Sequence, residues 1–284
     1  MSAAQAPAPE LRVVAGPSAL GGDFRRLVNL TLLLAVTEFR LRFFGSALGY
    51  FWQLARPLMI FGVLYVIFTE VVKFGAAPID HYPVYLLSAL VIFTGFAEAT
   101  SGAVKMVVER ENLVRKVHFP RLVIPLSVVL TSLFNLGLNL IAVFGFVLIS
   151  GIEPRVEWLQ VPLLLVPLVV FATGVAMLLS ALFVRFRDVG PIYDVVLQVL
   201  FYGTPIFYSF ETVPESVRTA YMSSPIASIV EQFRHAVIDP DAATAAEAIG
   251  GAGYLLIPAA VVVGVFFLGL WVFQREAPRV AEEL

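Results

Sequence analysis

Three stretches of this 284-residue chain contain no charged side chain, and each is longer than the helices of an ordinary soluble domain. They are residues 122–152, 158–184 and 248–274. Each exceeds the roughly 20 residues that an α-helix needs to cross a hydrocarbon core about 30 Å thick. Hydrophobic residues make up 59% of the chain, charged residues 14%, and the mean hydropathy is +0.88, so the chain lacks the charged exterior of a soluble protein. The sequence therefore predicts a multi-pass membrane protein.

Six membrane spans are predicted, at approximately residues 57–74, 83–107, 122–150, 159–184, 189–208 and 254–273. The alternation in units of about ten residues that is typical of a transmembrane β-strand is not seen. The predicted fold class is therefore an all-α membrane protein with six transmembrane helices. An N-terminal interfacial amphipathic helix is predicted before the first span, and a re-entrant outer segment between spans five and six.

The positions of Lys and Arg predict how the spans are oriented. If the N-terminus lies inside the cell, only four of the 19 Lys and Arg residues fall on the outer side: Lys73, Arg155, Arg218 and Arg234. Because cytoplasmic loops carry the excess of Lys and Arg in membrane proteins, both termini are predicted to be cytoplasmic. The net charge of −2 gives no reason to expect a nucleic-acid partner.

Composition divides the chain into four parts. Residues 1–22 are rich in Ala, Pro and Gly and are predicted to be a disordered cytoplasmic tail. Residues 23–56 mix basic and aromatic side chains and are predicted to lie in the membrane interface, although a simple anchor for the first span is an equal interpretation. Residues 57–274 form the six-span domain, and residues 275–284 a second cytoplasmic tail.

A charged island at residues 109–121 separates spans two and three and carries more charge than a simple link requires. Leu113, Val114 and Val117 are spaced like the inner face of a short helix. We therefore predict a coupling helix at about residues 109–118 that presses on another protein at the cytoplasmic surface. The predicted coupling residues are Glu109, Arg110, Glu111, Asn112, Leu113, Arg115 and Lys116, with Arg185, Arg187 and Asp188 in the turn before span five.

Polar side chains inside the predicted spans are informative because they are costly to bury in a membrane. A stripe of them recurs every four residues on span three: Ser127, Thr131, Asn135 and Asn139. This stripe either lines a wet cavity or hydrogen-bonds a neighbouring helix. Glu98 in span two is expected to face a channel or to bond to the stripe. Asp194 in span five is predicted to pair with Arg185 or Arg187.

Small residues at every fourth position mark candidate contacts between helices. Ala172, Ala176 and Ser180 form such a ladder in span four, and Ala260 and Gly264 form another in span six. Each ladder can serve packing within the chain or contact with a second copy. A two-fold pair of chains would enclose a channel, for which a single six-helix bundle has little room.

Three blocks of sequence follow one another in an order that identifies a family. The first is RFFGSALGYFW at residues 42–52, followed by Arg56-Pro57-Leu58. The second is the island 109–121, which closes with Phe-Pro-Arg. The third is YGTPIFY at residues 202–208, followed by Val213-Pro214, Ser224-Pro225 and Arg234. Together they resemble the ABC-type polysaccharide exporter permeases over about residues 24–275, although Ser224 stands where that family has Asn.

The resemblance implies a permease subunit of an ATP-driven exporter that moves an undecaprenyl-linked glycan, such as O-antigen, capsule or teichoic acid, across the bacterial cytoplasmic (inner) membrane. Such a subunit pairs with a second copy of itself and with two copies of an ATP-binding cassette ATPase. The chain contains no Gly-x-x-x-x-Gly-Lys-Ser/Thr phosphate loop. It is therefore expected to be a transport subunit rather than an enzyme and to bind no cofactor, with ATP and Mg on the ATPase.

Two groups of side chains are predicted to meet such a substrate. Four are expected to contact the lipid pyrophosphate or the membrane lipid at the interface: Arg40, Arg42, Trp52 and Arg56. Six are expected to line the channel or its gate: Glu98, Asn135, Asn139, Tyr202, Phe207 and Tyr208.

The outer side is predicted to hold an exit gate. An aromatic cluster surrounds Pro205 there and comprises Phe201, Tyr202, Phe207, Tyr208 and Phe210. Its rings either let sugar faces slide past or form an ordinary interfacial aromatic belt. Residues 209–250 follow as an outer gate segment, whose apolar middle is interpreted either as a helix dipping back to cap the exit or as a surface helix.

Two other classes of protein remain open at the level of sequence. One is an ABC permease that exports a small lipid or drug, because it would share this architecture. The other, less favoured, is a membrane-embedded enzyme or a channel. His81, His118 and His235 are scattered over three loops with no spacing that would bind a metal, and no nucleophile lies beside a base.

Overall fold

The computed structural model describes residues 24–43, 49–71, 81–110 and 120–276, and these residues form helices and turns without a β-strand. The helices are α1 (Phe24–Phe43), α2 (Gly49–Val66), α3 (Tyr82–Glu109), α4 (Val123–Ile149), α5 (Gln160–Arg185), α6 (Val189–Gly203), α7 (Glu215–Met222), α8 (Pro225–Val237), α9 (Ala245–Ile249) and α10 (Leu256–Glu276). A π-helical turn, Ile67–Val71, extends α2, and 3-10 turns Val156–Leu159 and Ala252–Leu255 precede α5 and α10. The predicted all-α class is confirmed.

Five helical stretches in the described part of the chain are long and apolar enough to cross a membrane. They are Phe51–Val71, Tyr82–Glu109, Val123–Ile149, Val156–Arg185 and Ala252–Glu276. These five stretches match five of the six predicted spans to within a few residues, except that the first begins six residues earlier. The multi-pass architecture therefore stands, whereas the remaining prediction, span five at residues 189–208, corresponds to a helix that is shorter than expected.

The shorter helix is α6, which was predicted to run over residues 189–208 but contains 15 residues. At 1.5 Å per residue it is about 22 Å long, less than the hydrocarbon core. The cause is Pro205: a proline disfavours the helical conformation in the residue before it, and Thr204 is accordingly extended. The chain then continues as an irregular segment rather than as helix.

From α3 to α6 the helices alternate in direction between two ends of the bundle. We call the end where α3 finishes at Glu109 and α5 at Arg185 the arginine end, and the end where α3 begins at Tyr82 the loop end. The helix at the centre of the bundle is α3: in its most apolar 18-residue stretch 72% of the residues are buried, against 6% in the corresponding stretch of the span that includes α2. The apolar surface of α2 thus faces outward, as expected for contact with lipid or with another protein.

Two glycines bring α5 and α10 into close contact. A Cβ added to Gly269 would lie 2.1 Å from the carbonyl oxygen of Gly174, and a Cβ on Gly174 would lie 2.6 Å from the Cα of Phe266. The predicted ladder in span four is buried inside the chain, as Ala172 and Ala176 show. The span-six ladder remains on the exposed side of α10.

The outer segment predicted at residues 209–250 folds into α7, α8 and α9 at the loop end. Nearly every side chain of α8 is buried, and Ile226, Val230 and Phe233 join the same core as α3 and α5. The predicted helical middle of this segment is therefore present and is covered by protein. Whether α8 dips into the membrane stays a prediction.

A buried arginine fixes this segment to the bundle. Arg234 of α8 is 1% exposed; it donates to Glu231 Oε1 at 2.6 Å and to the carbonyl oxygens of Pro205 and Ile206 at 2.5 and 3.1 Å. Its guanidinium carbon lies 3.3 Å from the ring centroid of Tyr85 in α3. One side chain therefore holds α8, the turn after α6 and the start of α3 together.

The glycine contact predicts opposite effects for two identical substitutions. Gly269→Ala should destabilise the protein by about 1–3 kcal/mol, because the added methyl group meets backbone that cannot move aside cheaply. Gly145→Ala in α4 is the control, since nothing lies within 4 Å of its added Cβ, and alanine favours a helix by about 0.5–1 kcal/mol over glycine. Thermal unfolding of the purified proteins in detergent measures both; an equal response would contradict the predicted contact.

The Arg234 contacts predict a large and pH-dependent loss of stability. Arg234→Leu should cost about 3–5 kcal/mol, because it leaves Glu231 buried without its cation. Burial raises the pKa of Glu231, and Arg234 opposes that rise. Without Arg234 the folded-state pKa rises further, so the variant should recover stability as the pH falls and lose it as the pH rises through that pKa.

The control for this variant is Arg218→Leu. Arg218 also lies at the loop end, but it contacts backbone oxygens at 3.3 Å and the Phe210 ring, and it has no carboxylate partner among the residues that the structure describes. Unfolding measured across a pH series should therefore show a smaller loss without the acid-side recovery. An Arg234→Leu loss that is independent of pH would rule out the role given to Glu231.

Candidate functional site

The carboxylate of Glu98, in the middle of α3, is held by side chains from three other helices. Asn135 of α4 donates to Oε1 at 2.7 Å, and Gln53 of α2 donates to Oε2 at 3.4 Å. Arg42, near the end of α1, forms an ion pair and a hydrogen bond with Oε1. A charge is costly in an apolar helix unless it is paired, and these donors supply the pairing. The predicted bond between Glu98 and the span-three stripe is present.

A cavity of about 280 Å³ opens beside this carboxylate. It is lined by charged, amide, hydroxyl and apolar groups: Gln53, Arg56, Pro57, Ile60, Thr94, Gly95, Ala97, Glu98, Ser101 and Asn139. Its volume lies just below the roughly 300–1,000 Å³ of common ligand pockets, so it suits a headgroup rather than a length of polymer. The guanidinium of Arg56 is the group in its wall that best matches a phosphate.

The polar stripe of α4 serves both of its predicted purposes. The Thr131 hydroxyl lies 2.8 Å from the Ser127 carbonyl oxygen and 3.3 Å from that of Ala35 in α1. Asn135 bonds to Glu98 in α3, whereas Asn139 donates to the Asn135 carbonyl oxygen at 3.0 Å and lines the cavity. The stripe therefore joins helices near its start and contributes to the cavity wall near its end.

The predicted interface residues divide between the cavity and the surface. Arg42 is paired with Glu98, and Arg56 lines the cavity. Arg40 and Trp52 are exposed. One side of α1 is buried against α4, as the edge-to-face contact of Phe39 and Phe134 at 5.6 Å shows. The other side of α1 remains exposed and carries both apolar and basic residues.

At the arginine end, the structure describes the first residues of the charged island. Glu109 is exposed, and Arg110 forms an ion pair with Glu38 of α1. Glu38 is a residue that the sequence prediction missed, although it is the one acidic residue of a strongly basic helix. Five predicted coupling residues lie outside the described residues: Glu111, Asn112, Leu113, Arg115 and Lys116.

The second predicted coupling turn, between α5 and α6, is exposed. Arg185 lies 5.3 Å from the ring centroid of Phe186, and Arg187 lies 5.2 Å from that of Phe183. Asp188 is also exposed and precedes α6 without a side-chain cap bond.

The predicted ion pair of Asp194 is wrong, since this carboxylate is exposed and forms no ion pair within the described part of the chain. Its neighbour Tyr193 explains why. The Tyr193 hydroxyl donates to Thr100 Oγ1 of α3 at 2.6 Å, which fixes the buried face of α6. Successive residues of a helix point about 100° apart, so Asp194 lies off that face.

The aromatic cluster around Pro205 is present, with one member elsewhere. Phe207 stacks on Phe68 beyond α2 at 4.6 Å and lies 6.2 Å from Tyr202 and 5.1 Å from Tyr208. Phe201 joins through Tyr202 at 5.4 Å. Phe210 packs in a separate buried cluster with Met222, Ala248 and Ile249, so its assignment to the aromatic group was wrong.

Hydrogen bonds hold these rings at the loop end. Tyr82 and Tyr85 of α3 donate to the carbonyl oxygens of Phe207 and Tyr208 at 3.1 and 3.0 Å. The Tyr208 hydroxyl donates to the Tyr202 carbonyl oxygen at 3.0 Å and also contacts the Tyr221 hydroxyl. These bonds fix the backbone of Tyr202, Phe207 and Tyr208, whose aromatic rings remain partly exposed.

The chain is similar to several curated proteins over most of its length. It is 27% identical over 261 residues to the O-antigen export system permease protein RfbA of Klebsiella pneumoniae, which covers 91% of this chain and 96% of that protein. It is 27% identical over 208 residues to RfbA of Myxococcus xanthus, covering 72% and 79%. It is 22% identical over 210 residues to the polysialic acid transport protein KpsM of Escherichia coli, covering 72% and 80%.

The sequence profile of one protein family covers well over half of the chain. That profile, described as ABC-2 type transporter, matches residues 29–238. The matched region begins within α1 and ends after α8, so it includes the Glu98 contacts, the cavity, the island and the buried Arg234. The chain therefore belongs to the ABC-2 type transporter family.

Proposed function

We propose that this chain is the permease subunit of an ATP-driven exporter that moves a lipid-linked polysaccharide, such as O-antigen or capsule, across the bacterial inner membrane. The observation that carries the proposal is the similarity to the Klebsiella RfbA permease across 91% of this chain and 96% of that one. The similarity to KpsM extends the substrate class to capsule glycans. An undecaprenyl lipid carrier and cytoplasmic termini belong to the same proposal.

The energy for transport comes from a separate ATPase that holds ATP and Mg. This chain has no phosphate-binding loop of the Gly-x-x-x-x-Gly-Lys-Ser/Thr type. Two ATPase subunits dock at the arginine end, on the predicted coupling helix at about residues 109–118 and on the turn from Arg185 to Asp188. The exposed position of that turn and of Glu109 supports this assignment.

The cavity between α2, α3 and α4 receives the pyrophosphate head of the lipid carrier. Arg56 supplies a guanidinium, and the Gln53 and Asn139 amides supply further donors. Arg40 and Trp52 lie at the exposed surface, where they contact membrane lipid. Because the cavity is small, the sugar chain extends beyond it into the path between two copies of the permease.

The path between two copies leads past the aromatic rings of the loop end. The faces of Tyr202, Phe207 and Tyr208 contact sugar rings without fixed hydrogen bonds, which suits a polymer that must keep moving. The helix α8 acts as the re-entrant cap of the exit. Ala260 and Gly264, on the exposed side of α10, provide a small-residue face for contact between helices.

Reconstitution with and without the ATPase tests this function. In proteoliposomes that contain an undecaprenyl-linked O-polysaccharide, export should require both this chain and the ATPase encoded with it. Arg115→Glu combined with Lys116→Glu should abolish ATPase co-purification and export, because it reverses the charge of the docking surface. Glu153→Lys combined with Glu157→Lys reverses two exposed charges at the loop end and should leave docking unchanged.

Two outcomes would contradict the proposed function. Export at full rate without the ATPase would show that this chain does not depend on a separate ATPase for energy. ATP-driven export of a fluorescent lipid or drug, with no export of the glycan, would identify the alternative small-molecule permease.

The pyrophosphate role of the cavity has its own test. The chain has no cysteine, so Ser101→Cys places a single thiol in the cavity wall. Inorganic pyrophosphate should slow its reaction with a charged thiol reagent, and Arg56→Gln should remove that protection. Arg275→Gln is the control, because Arg275 is exposed beside Trp271 and away from the cavity. Labelling that is equal with and without pyrophosphate would contradict the assignment.

A further inference from the structure

We propose that Glu38 and Arg42 are positioning residues through which α1 connects the ATPase-docking island to the Glu98 cavity. The two residues are one helical turn apart on α1; Arg42 pairs with Glu98 of α3, and Glu38 pairs with Arg110, the residue that follows α3. The inference rests on the proposed function, since it names the connection by which the ATPase acts on the substrate cavity.

The first contact lies at the base of the island. Arg110 is the first residue after α3, and its side chain pairs with Glu38. Both side chains are mostly buried, with 18% and 14% of their surface exposed. Thr131 of α4 lies 3.4 Å from the other oxygen of Glu38 and 3.3 Å from the Ala35 carbonyl oxygen, so α1 is fixed to α4 at the same place. Any movement of the island must therefore act on α1.

The second contact lies at the cavity. Arg42 pairs with Glu98, whose carboxylate also accepts from Gln53 and Asn135 and lines the cavity. Here 36% and 31% of the two side chains are exposed, twice the exposure of the Arg110–Glu38 pair. A more exposed ion pair is weaker because water screens it. The pair at the cavity is therefore the one that separates when α1 moves.

The order of charges fixes the position of α1. Along α1 the acidic residue comes first and the basic residue second; Arg42 meets the acidic Glu98 of α3, and Glu38 meets the basic Arg110 just after α3. Sliding α1 by a turn would bring like charges towards each other, which is unfavourable. When the ATPase does not move the island, α1 therefore has one favoured position relative to α3 rather than a range of positions.

Separation of the cavity pair changes what the cavity can bind. While Arg42 is paired, its positive charge balances the negative charge of Glu98, and Arg56 supplies a guanidinium to the cavity wall that has no ion pair among the described residues. When the pair opens, Arg42 becomes available to a phosphate, and the negative charge of Glu98 disfavours one beside it. A movement of the island, driven by the ATPase, thereby changes the affinity of the cavity for an anion.

The Ser101→Cys reporter tests this connection without an identified ligand. The full chain with its ATPase is placed in lipid nanodiscs, and labelling by a charged thiol reagent is measured with and without a non-hydrolysable ATP analogue. Nucleotide should change the labelling rate at least about fivefold, the low end of usual coupling between two sites. In Glu38→Gln the labelling rate should be nearly the same with and without nucleotide, because the substitution removes the negative charge that pairs with Arg110 at the base of the island.

Two further variants separate a positioning role from a loss of folding. Asp194→Asn makes the same carboxylate-to-amide change at an exposed position of α6 and should keep the full nucleotide effect. Glu38→Arg and Arg110→Glu should each remove the effect, and the two together should restore it, because the pair is re-formed with its charges exchanged. A merely structural role would lower the unfolding temperature without removing the nucleotide response of the folded complexes.

The outcomes distinguish this inference from the proposed function. If the reporter chain exports the glycan with ATP and Glu38→Gln keeps a full nucleotide effect, the inference is overturned and the function stands. Failure of the double exchange to restore the response, in complexes that still co-purify with the ATPase, would also overturn it. If the reporter chain and the unaltered chain both fail to export, the proposed function falls, and the inference with it.

Discussion

The bundle depends on how a charged carboxylate is kept inside an apolar helix. Glu98 lies on α3, the most buried helix, where an unpaired charge would be too costly to retain. Its partners come from α1, α2 and α4, so the same requirement that neutralises the charge also places three helices around it. The cavity opens beside this carboxylate, with Glu98 and its partner Gln53 in the wall.

The loop end follows the same rule with the opposite charge. Arg234 is buried, and it joins α8, the segment after α6 and α3 by bonds to Glu231 and two carbonyl oxygens. Elsewhere in the bundle α5 and α10 meet through Gly174 and Gly269, with backbone against backbone. The chain is thus fixed by directional polar contacts around Glu98 and Arg234 and by this close packing of two helices, which favours rigid helices that move as units.

The sequence predicted what a single helix can reveal. The positions of α4, α5 and α10 follow from three long uncharged stretches, and the bond between Glu98 and Asn135 follows from the cost of intramembrane polar groups. The contacts of α1 did not follow, because helical spacing identifies a buried face but not the charged residue on another helix that Glu38 or Arg42 will meet. Asp194 was predicted to pair with the nearest arginines in sequence, but its side chain lies on the exposed side of α6 and does not meet them.

In the coupling proposed above, the position of α1 is the means by which a chain with no nucleotide-binding loop responds to an ATPase. A membrane span transmits force poorly along its axis if lipid surrounds it, because nothing fixed resists the movement. By contrast, α1 is held on one side by α4 and by two ion pairs, one with Glu98 of α3 and one with Arg110 just after it, so lipid alone cannot absorb a displacement at the Arg110 contact. The exposed pair with Glu98 is the weaker of the two points. In the proposed coupling, work that the ATPase delivers at the arginine end is therefore released at the cavity, where the proposed substrate is bound and released.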